Sequence, residues 1–277
     1  MSLLDAHVHV WDTSVLDYPW LAGVPALPRR ALPADVDRAD GRTTRMIFVE
    51  ADRAPDRGLA EAEWVDAADW PELAGIVAFA DLTASPDLDA LAAVDRVVGV
   101  RYSLQDIPVE HWNVPALADG LRELARRGLT FDACVRHPQL PALAALLEQS
   151  PETHVVLDHL GKPPLDAGLD SDDGRAWHDA LHRLAALPNA HVKLSGLAAE
   201  TQDAAAYARH ADAYIAVGVE EFGVDRAMIG SDWPVSARTG VGTTMAAWAD
   251  RVRGATAVDD EDWAHIAEET AARFYGV

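Results

Sequence analysis

Eight short runs of apolar, often β-branched residues punctuate the chain, at 3–10, 45–51, 73–82, 97–104, 129–135, 154–160, 191–197 and 227–233. Each has the length of a buried strand. Between them lie Ala-, Leu- and Glu-rich stretches whose apolar residues recur at helical spacing, most clearly at 57–69, 86–95, 115–127, 141–149, 174–186, 203–222 and 259–274. Proline in the first turn marks the start of "SPDLDALAAV" and of "VPALADGLREL", and Gly128 closes the second. Strand then helix, repeated about eight times, predicts parallel strands joined by crossover helices. No G-x-G-x-x-G follows an early strand, as a doubly wound nucleotide-binding sheet would usually show, and no Gly/Ser linker divides the chain. The pattern therefore predicts an α/β fold, a (β/α)8 TIM barrel forming a single domain over 1–277. One segment departs from the alternation. Residues 12–44 hold four prolines and no long helix. Following the first strand, at the face where barrel enzymes keep their sites, they are expected to form a lid.

The polar residues that interrupt the strand runs are the chemically informative ones. Alternate residues of a strand share a face, so "LLDAHVHVW" should turn Asp5, His7 and His9 one way and Leu4, Ala6, Val8 and Val10 the other. Two histidines on the axis side of a first strand, near its C-terminal end, predict a shared site rather than packing. Other runs end in similar groups: Glu50; Arg101 and Gln105; Asp158, His159 and Lys162; Lys193 and Ser195; and Asp232. Burying one such group unpaired costs about 1–3 kcal/mol, more if charged, so several at one end of a sheet should meet and be used. Lys162 and Lys193 are the only lysines beside 21 arginines, and both stand at strand ends.

Charge narrows the function classes. The net charge is −22, from 45 acidic and 23 basic residues, which argues against nucleic-acid or membrane-surface partners. The single cysteine, Cys134, excludes an internal disulfide and a Cys-rich zinc site, and its apolar setting predicts a core residue. No apolar stretch approaches the roughly 20 residues of a membrane span, and no signal-like N-terminus is apparent, so a cytoplasmic location is expected. Oligomeric state is not readable, and a homodimer is compatible with the sequence. "GSDWP" lacks the G-x-S-x-G pattern, so Ser231 is not expected to be a nucleophile.

Taken in order, "DAHVHVWD", "DYPWL", "VRYSLQ", "VLDHLGKPP", "VKLSGL", "MIGSDWP" and "TAARFYGV" resemble the amidohydrolase superfamily, and more closely its lactonase-like branch of TIM-barrel metal-dependent hydrolases, from end to end. The resemblance implies hydrolysis of a cyclic ester, a small-molecule lactone such as fuconolactone or rhamnonolactone. It makes His7, His9, His159 and Asp232 the central residues, with Asp232 as general base. It also implies one divalent ion, most simply zinc, on His7, His9 and Asp232, with a metal-free site as the alternative. The strand-four lysine that bridges two metals elsewhere in the superfamily is Arg101 here, so a two-metal site is not expected. Arg101, Lys162, Lys193, Glu50, Gln105 and Trp11 are expected to contact substrate. His137 in "CVRHPQL" is expected to pack in its loop. The open alternatives are a lactonase of aromatic degradation, a decarboxylase on the same barrel, and a non-enzymatic sugar-binding protein.

Overall fold

The computed structural model describes residues 1–277, apart from the side chain of Pro55. Its frame is eight parallel strands in sequence order: β1 (Leu3–Val8), β2 (Thr43–Val49), β3 (Leu73–Phe79), β4 (Val97–Arg101), β5 (Thr130–Ala133), β6 (Val155–Leu157), β7 (Ala190–Leu194) and β8 (Ala227–Ile229). A parallel bridge between Val8 and Trp233 joins the last strand back to the first. There the His9 amide donates to the Trp233 carbonyl, and the Asp232 amide to that of His7, each at 2.8 Å. The seam thus closes through the residues expected to do the chemistry. The arrangement is the predicted TIM barrel.

Helices α1 (Gly58–Asp66), α2 (Leu88–Ala92), α3 (Val114–Arg126), α4 (Leu140–Leu147), α5 (Asp172–Ala185) and α6 (Ala204–Phe222) pack around the strands. In α3 the buried residues Leu117, Leu121 and Leu124 fall three to four apart, an apolar stripe facing the sheet. After β8 come a short α7 (Val235–Arg238) and α8 (Met245–Thr256), the second of which the sequence pattern does not single out. Its apolar positions Met245, Trp248, Ala249 and Val252 are buried, and the Thr244 side chain caps its start. The last stretch splits into α9 (Asp260–Ala264), a π turn (His265–Glu269) and α10 (Thr270–Tyr275). Among the described residues no helix is long and apolar enough to cross a membrane.

The strands stop short of the apolar runs, because the residues after each strand turn inward over the barrel mouth. The expected alternation in β1 is corrected. Leu4 and Ala6 pack with Ile47, Val49, Val77, Val156 and Met228 in the barrel interior, above Ala271 and Tyr275 of α10, not against the outer ring of helices. Leu3, Val8 and Val10 belong to the outer core. The register against β2 shifts by one residue between Asp5 and Val8. That bulge changes which face the next side chains take, and returns His7 to the axis. Asp5 stays outside, where Oδ1 accepts from the amides of Ser231 (2.7 Å) and His7 (3.2 Å). It ties the chain after β8 to β1, and burial pushes its carboxyl up to about 7.

Candidate active site

Three imidazoles and one carboxylate meet where β1, β6 and β8 end. His7 Nε2 lies 3.1 Å from His9 Nε2, and Asp232 Oδ1 lies 3.5 Å from His9 Nε2, 3.8 Å from His159 Nε2 and 3.9 Å from His7 Nε2. Each ring is held from behind. His9 Nδ1 sits 2.8 Å from the Val49 carbonyl, His159 Nδ1 2.8 Å from Ser195 Oγ, and His7 Nδ1 3.2 Å from Asp158 Oδ1. Asp232 Oδ2 accepts from Ser236 Oγ at 2.7 Å, which leaves Oδ1 facing the rings. Backbone strain supports the convergence. His159, Leu160, Lys162 and Asp232 all have φ between 52° and 55°, the left-handed region that costs a non-glycine residue on the order of 1–3 kcal/mol. The turn after β6 is pinned by Trp177 Nε1 donating to the Leu160 carbonyl (2.8 Å), and by His137 Nδ1 at 3.0 Å from the Lys162 carbonyl.

Burial favours the neutral form of two of the imidazoles, beside an anion. Burial holds His7 well below the ordinary histidine range and brings His159 down to about 4. Burial alone would raise Asp232, but the surrounding imidazoles outweigh it and keep the carboxyl below its usual range. The set suits a tetrahedral zinc ion, whose donors at about 2.0–2.1 Å stand roughly 3.4 Å apart. Facing nitrogens held from behind by a carbonyl, a hydroxyl and a carboxylate are also the arrangement that presents Nε2 to a metal. One ligand atom each from His7, His159 and Asp232 lies within 4.8 Å of the others. This group holds His159 where the sequence reading placed His9.

His9, His159 and Asp232 form one wall of an open cavity of about 640 Å³, with His7 buried behind them. It is of a size to take a small ring compound. Arg101, Gln105 and Lys162 line it as expected, with Trp20, Ala51, Asp52, Ser103, Cys134 and Glu200. Three expected substrate contacts do not reach it. Trp11 is fully buried, its Nε1 donates to the Pro28 carbonyl (2.9 Å), and its ring packs on Tyr18 and Trp20. Trp20, from the expected lid segment, takes the cavity position instead. Glu50 is buried behind the wall, with Arg101 Nε at 2.7 Å and Arg53 Nη1 at 2.5 Å. Lys193 is wholly enclosed below the cluster. In each case nearer protein groups take up the polar atoms. Cys134 is buried as expected, yet it also faces the cavity. Asp52 and Glu200 were not singled out from the sequence. Asp52, three residues beyond the end of β2, carries a left-handed φ of 54°, and Glu200 pairs with Lys162 at 3.0 Å.

Glu61 on α1 supports this wall from behind, accepting from the Ala51 amide at 3.3 Å. Burial, then the Glu50 charge, pushes its carboxyl up to about 8, against about 4.3 unfolded. The folded state thus holds a proton that the unfolded state loses. The contribution of Glu61 to stability is full below about pH 4.3 and is lost as pH rises toward 8. Glu61→Gln should therefore gain on the wild type, by a few degrees of Tm, between pH 5 and pH 8. Parallel Tm-against-pH curves for the two proteins would contradict this.

The amidohydrolase family model matches residues 4–277. The chain belongs to the amidohydrolase family. This amidohydrolase is 32% identical over 254 residues to an L-fucono-1,5-lactonase from Burkholderia ambifaria, covering 88% of this chain and 84% of that one. It is 33% identical over 252 residues to an L-fucono-1,5-lactonase from Burkholderia multivorans, covering 84% and 82%. Among solved structures, an amidohydrolase from Burkholderia multivorans with bound Zn superposes on the amidohydrolase chain with a TM-score of 0.87 at 29% identity, over the full length of both.

Proposed function

We propose that the protein is a hydrolase that opens a sugar-acid lactone, with one zinc ion held by His7, His9, His159 and Asp232. The observation that carries the reading is the convergence of these four residues at the strand ends, with His9, His159 and Asp232 on one wall of a cavity sized for a small ring and His7 directly behind them. Kinship with two L-fucono-1,5-lactonases and with a zinc-containing amidohydrolase supports it. Bound there, zinc would polarise the ester carbonyl and make water a better nucleophile near neutral pH.

The chain's own groups supply the rest. Asp232, ionised and held through Oδ2 by Ser236, receives the proton of the attacking water on its carboxylate. The hydroxyl adds to the carbonyl carbon, the bond to the ring oxygen breaks, and the proton passes to that oxygen, giving the open hydroxy acid. His159 borders the cavity with both ring nitrogens engaged, Nδ1 by Ser195 and Nε2 toward the zinc position. Trp20 covers the ring from the 12–44 segment, which serves as the lid.

The cations point to a lactone without an extra carboxylate. Arg101 is paired with Glu50 and lies 3.5 Å from Asp158, and Lys162 is paired with Glu200. Among the described cavity-lining residues no lysine or arginine is left over for a substrate carboxylate. Asp52, Gln105 and Glu200 instead offer acceptors to sugar hydroxyls, and the Gln105 side-chain oxygen is buried without a partner. The test is acid release from a panel of L-fucono-, L-rhamnono- and other sugar lactones, beside a carboxylated pyrone, using protein of known metal content. Opening of a sugar lactone with close to one zinc per chain is expected. No turnover of any lactone would overturn the assignment, and two tightly bound ions per chain would overturn the single-metal site.

A further inference from the structure

Below the imidazoles, the barrel axis carries ionisable groups that the reaction above does not use. Lys193 on β7 points inward. Its Nζ is bonded to Asp132 Oδ2 on β5, and lies 3.1 Å from Asp158 Oδ1 and 3.2 Å from His7 Nδ1. Tyr275, at the end of α10, reaches up from the barrel floor and donates its hydroxyl to the same Asp132 oxygen at 2.9 Å. Lys193, Asp132 and Asp158 have no solvent exposure. A continuous line therefore runs Tyr275–Asp132–Lys193–Asp158–His7, from the floor to the cluster.

We propose that Lys193 is a positioning residue, gripped by Asp132 and Tyr275, that holds Asp158 against His7 Nδ1 and so aims the unprotonated Nε2 of His7 at the zinc position. The geometry offers His7 two partners, and the chemistry separates them. Nζ, Nδ1 and Asp158 Oδ1 form a triangle with sides of 3.1 to 3.2 Å; the Nζ–Nδ1 side has hydrogen-bond geometry, whereas the two sides to Asp158 are ion-pair contacts and its oxygens have no aligned donor. A carboxylate can accept from both nitrogens, whereas an ammonium can only donate. With Asp158 in the triangle, His7 carries its proton on Nδ1 and Nε2 is free to bind metal. Were Lys193 to donate to Nδ1 instead, the proton would move to Nε2 and point at His9 Nε2, 3.1 Å away. The second oxygen of Asp158 is 3.5 Å from Arg101 Nη1, so the carboxylate is steadied from the far side as well. Carboxylates behind metal-binding histidines fix the tautomer in this way. Here the carboxylate is itself anchored, through a lysine, to the opposite end of the barrel.

The proposal rests on the zinc reading of the cluster but not on the choice of lactone, and its test separates the two. Tyr275→Phe removes one hydroxyl at the floor and keeps the ring. The double variant Asp132→Asn/Lys193→Met removes both charges together, leaving no ion unpaired between them. Zinc affinity, measured by competition with a chromophoric chelator, should fall about 10–100-fold in the double variant and less in Tyr275→Phe. On a turned-over lactone, kcat should fall with KM within about twofold. In metal-free protein, imidazole nitrogen NMR shifts should report His7 protonated on Nδ1 in the wild type and shifted toward Nε2 in the variants. A merely structural role would lower Tm while zinc affinity, the tautomer and the kcat of folded protein stayed at wild-type values, and that result would overturn the proposal. Should the wild type bind no zinc, the zinc reading fails and the tautomer comparison still decides the role of Lys193.

Discussion

Replacing Asp232 by asparagine is expected to slow lactone opening about 10²-fold or more while leaving the protein folded. The amide matches the carboxylate in size and can still accept from Ser236 Oγ, but it cannot take a proton from water or offer an anionic oxygen to a metal. Three imidazole nitrogens lie within 3.9 Å of Oδ1, so the loss of charge falls at the centre of the cluster. Stability should change much less. The folded-state pKa of Asp232 lies below its unfolded value of about 3.9, so its charge contributes stability above that pH, lost as pH falls through the folded value. The asparagine variant forgoes that contribution at neutral pH, and a fall in Tm of a few degrees is expected. The paired measurement is kcat/KM on a confirmed lactone beside a thermal melt. A variant that keeps most of its rate would remove Asp232 from the mechanism and leave His159 as the candidate base.

Gly196→Ala should damage stability and activity together, through one contact. Gly196 follows β7 with φ of +77°, and a Cβ there would fall 2.4 Å from His159 Nδ1 and 2.5 Å from its Cγ. Holding alanine in this backbone region costs on the order of 1–3 kcal/mol, roughly 2–12 °C of Tm for a chain of this size. The methyl group must also push the His159 ring aside, breaking its 2.8 Å contact with Ser195 Oγ and moving Nε2 away from Asp232. A rate loss of at least about 10-fold is expected, with weaker zinc retention. A double-mutant cycle with His159→Ala separates the causes. With the ring gone only the 2.8 Å approach to the Cβ of residue 159 remains, so the destabilisation by Gly196→Ala should shrink toward the backbone part without reaching it. An undiminished Tm loss in that background would mean that the clash with His159 plays no part.

These two sites illustrate how unevenly the molecule could be read in advance. Asp232 stands in "GSDWP" after an apolar run, and its place at a strand end was evident from the run alone. Gly196 looked like any residue in a strand-to-helix turn, since nothing local says that an imidazole from another strand fills the space beside it. The same contrast separates His7 from Asp5. Both sit in one short strand at what regular alternation makes one face, yet the bulge in β1 sends Asp5 outward to Ser231 and His7 to the axis. Helix α8 carried the apolar spacing of a core helix without being recognised as one, because its polar residues mask the stripe until Trp248 is seen under β7, donating to the Leu194 carbonyl.

By itself, the sequence determined the eight strands, seven of the helical stretches, the barrel they build, and the clustering of polar groups at strand ends. All of these follow from residue order and periodicity, which act between near neighbours in the chain. Only the tertiary structure decided which polar groups face the cavity. Arg101 and Lys162 border it, while Glu50 and Lys193, equally close to strand ends, are taken up by Arg53, Arg101, Asp132 and Asp158. Trp20 displaced Trp11 because the 12–44 segment folds back and buries Trp11 under the chain at Pro28. Whether a charged or aromatic side chain meets substrate depends on what else lies within a few ångströms, and those neighbours come from strands as far as 186 residues away, as with Lys193 and His7.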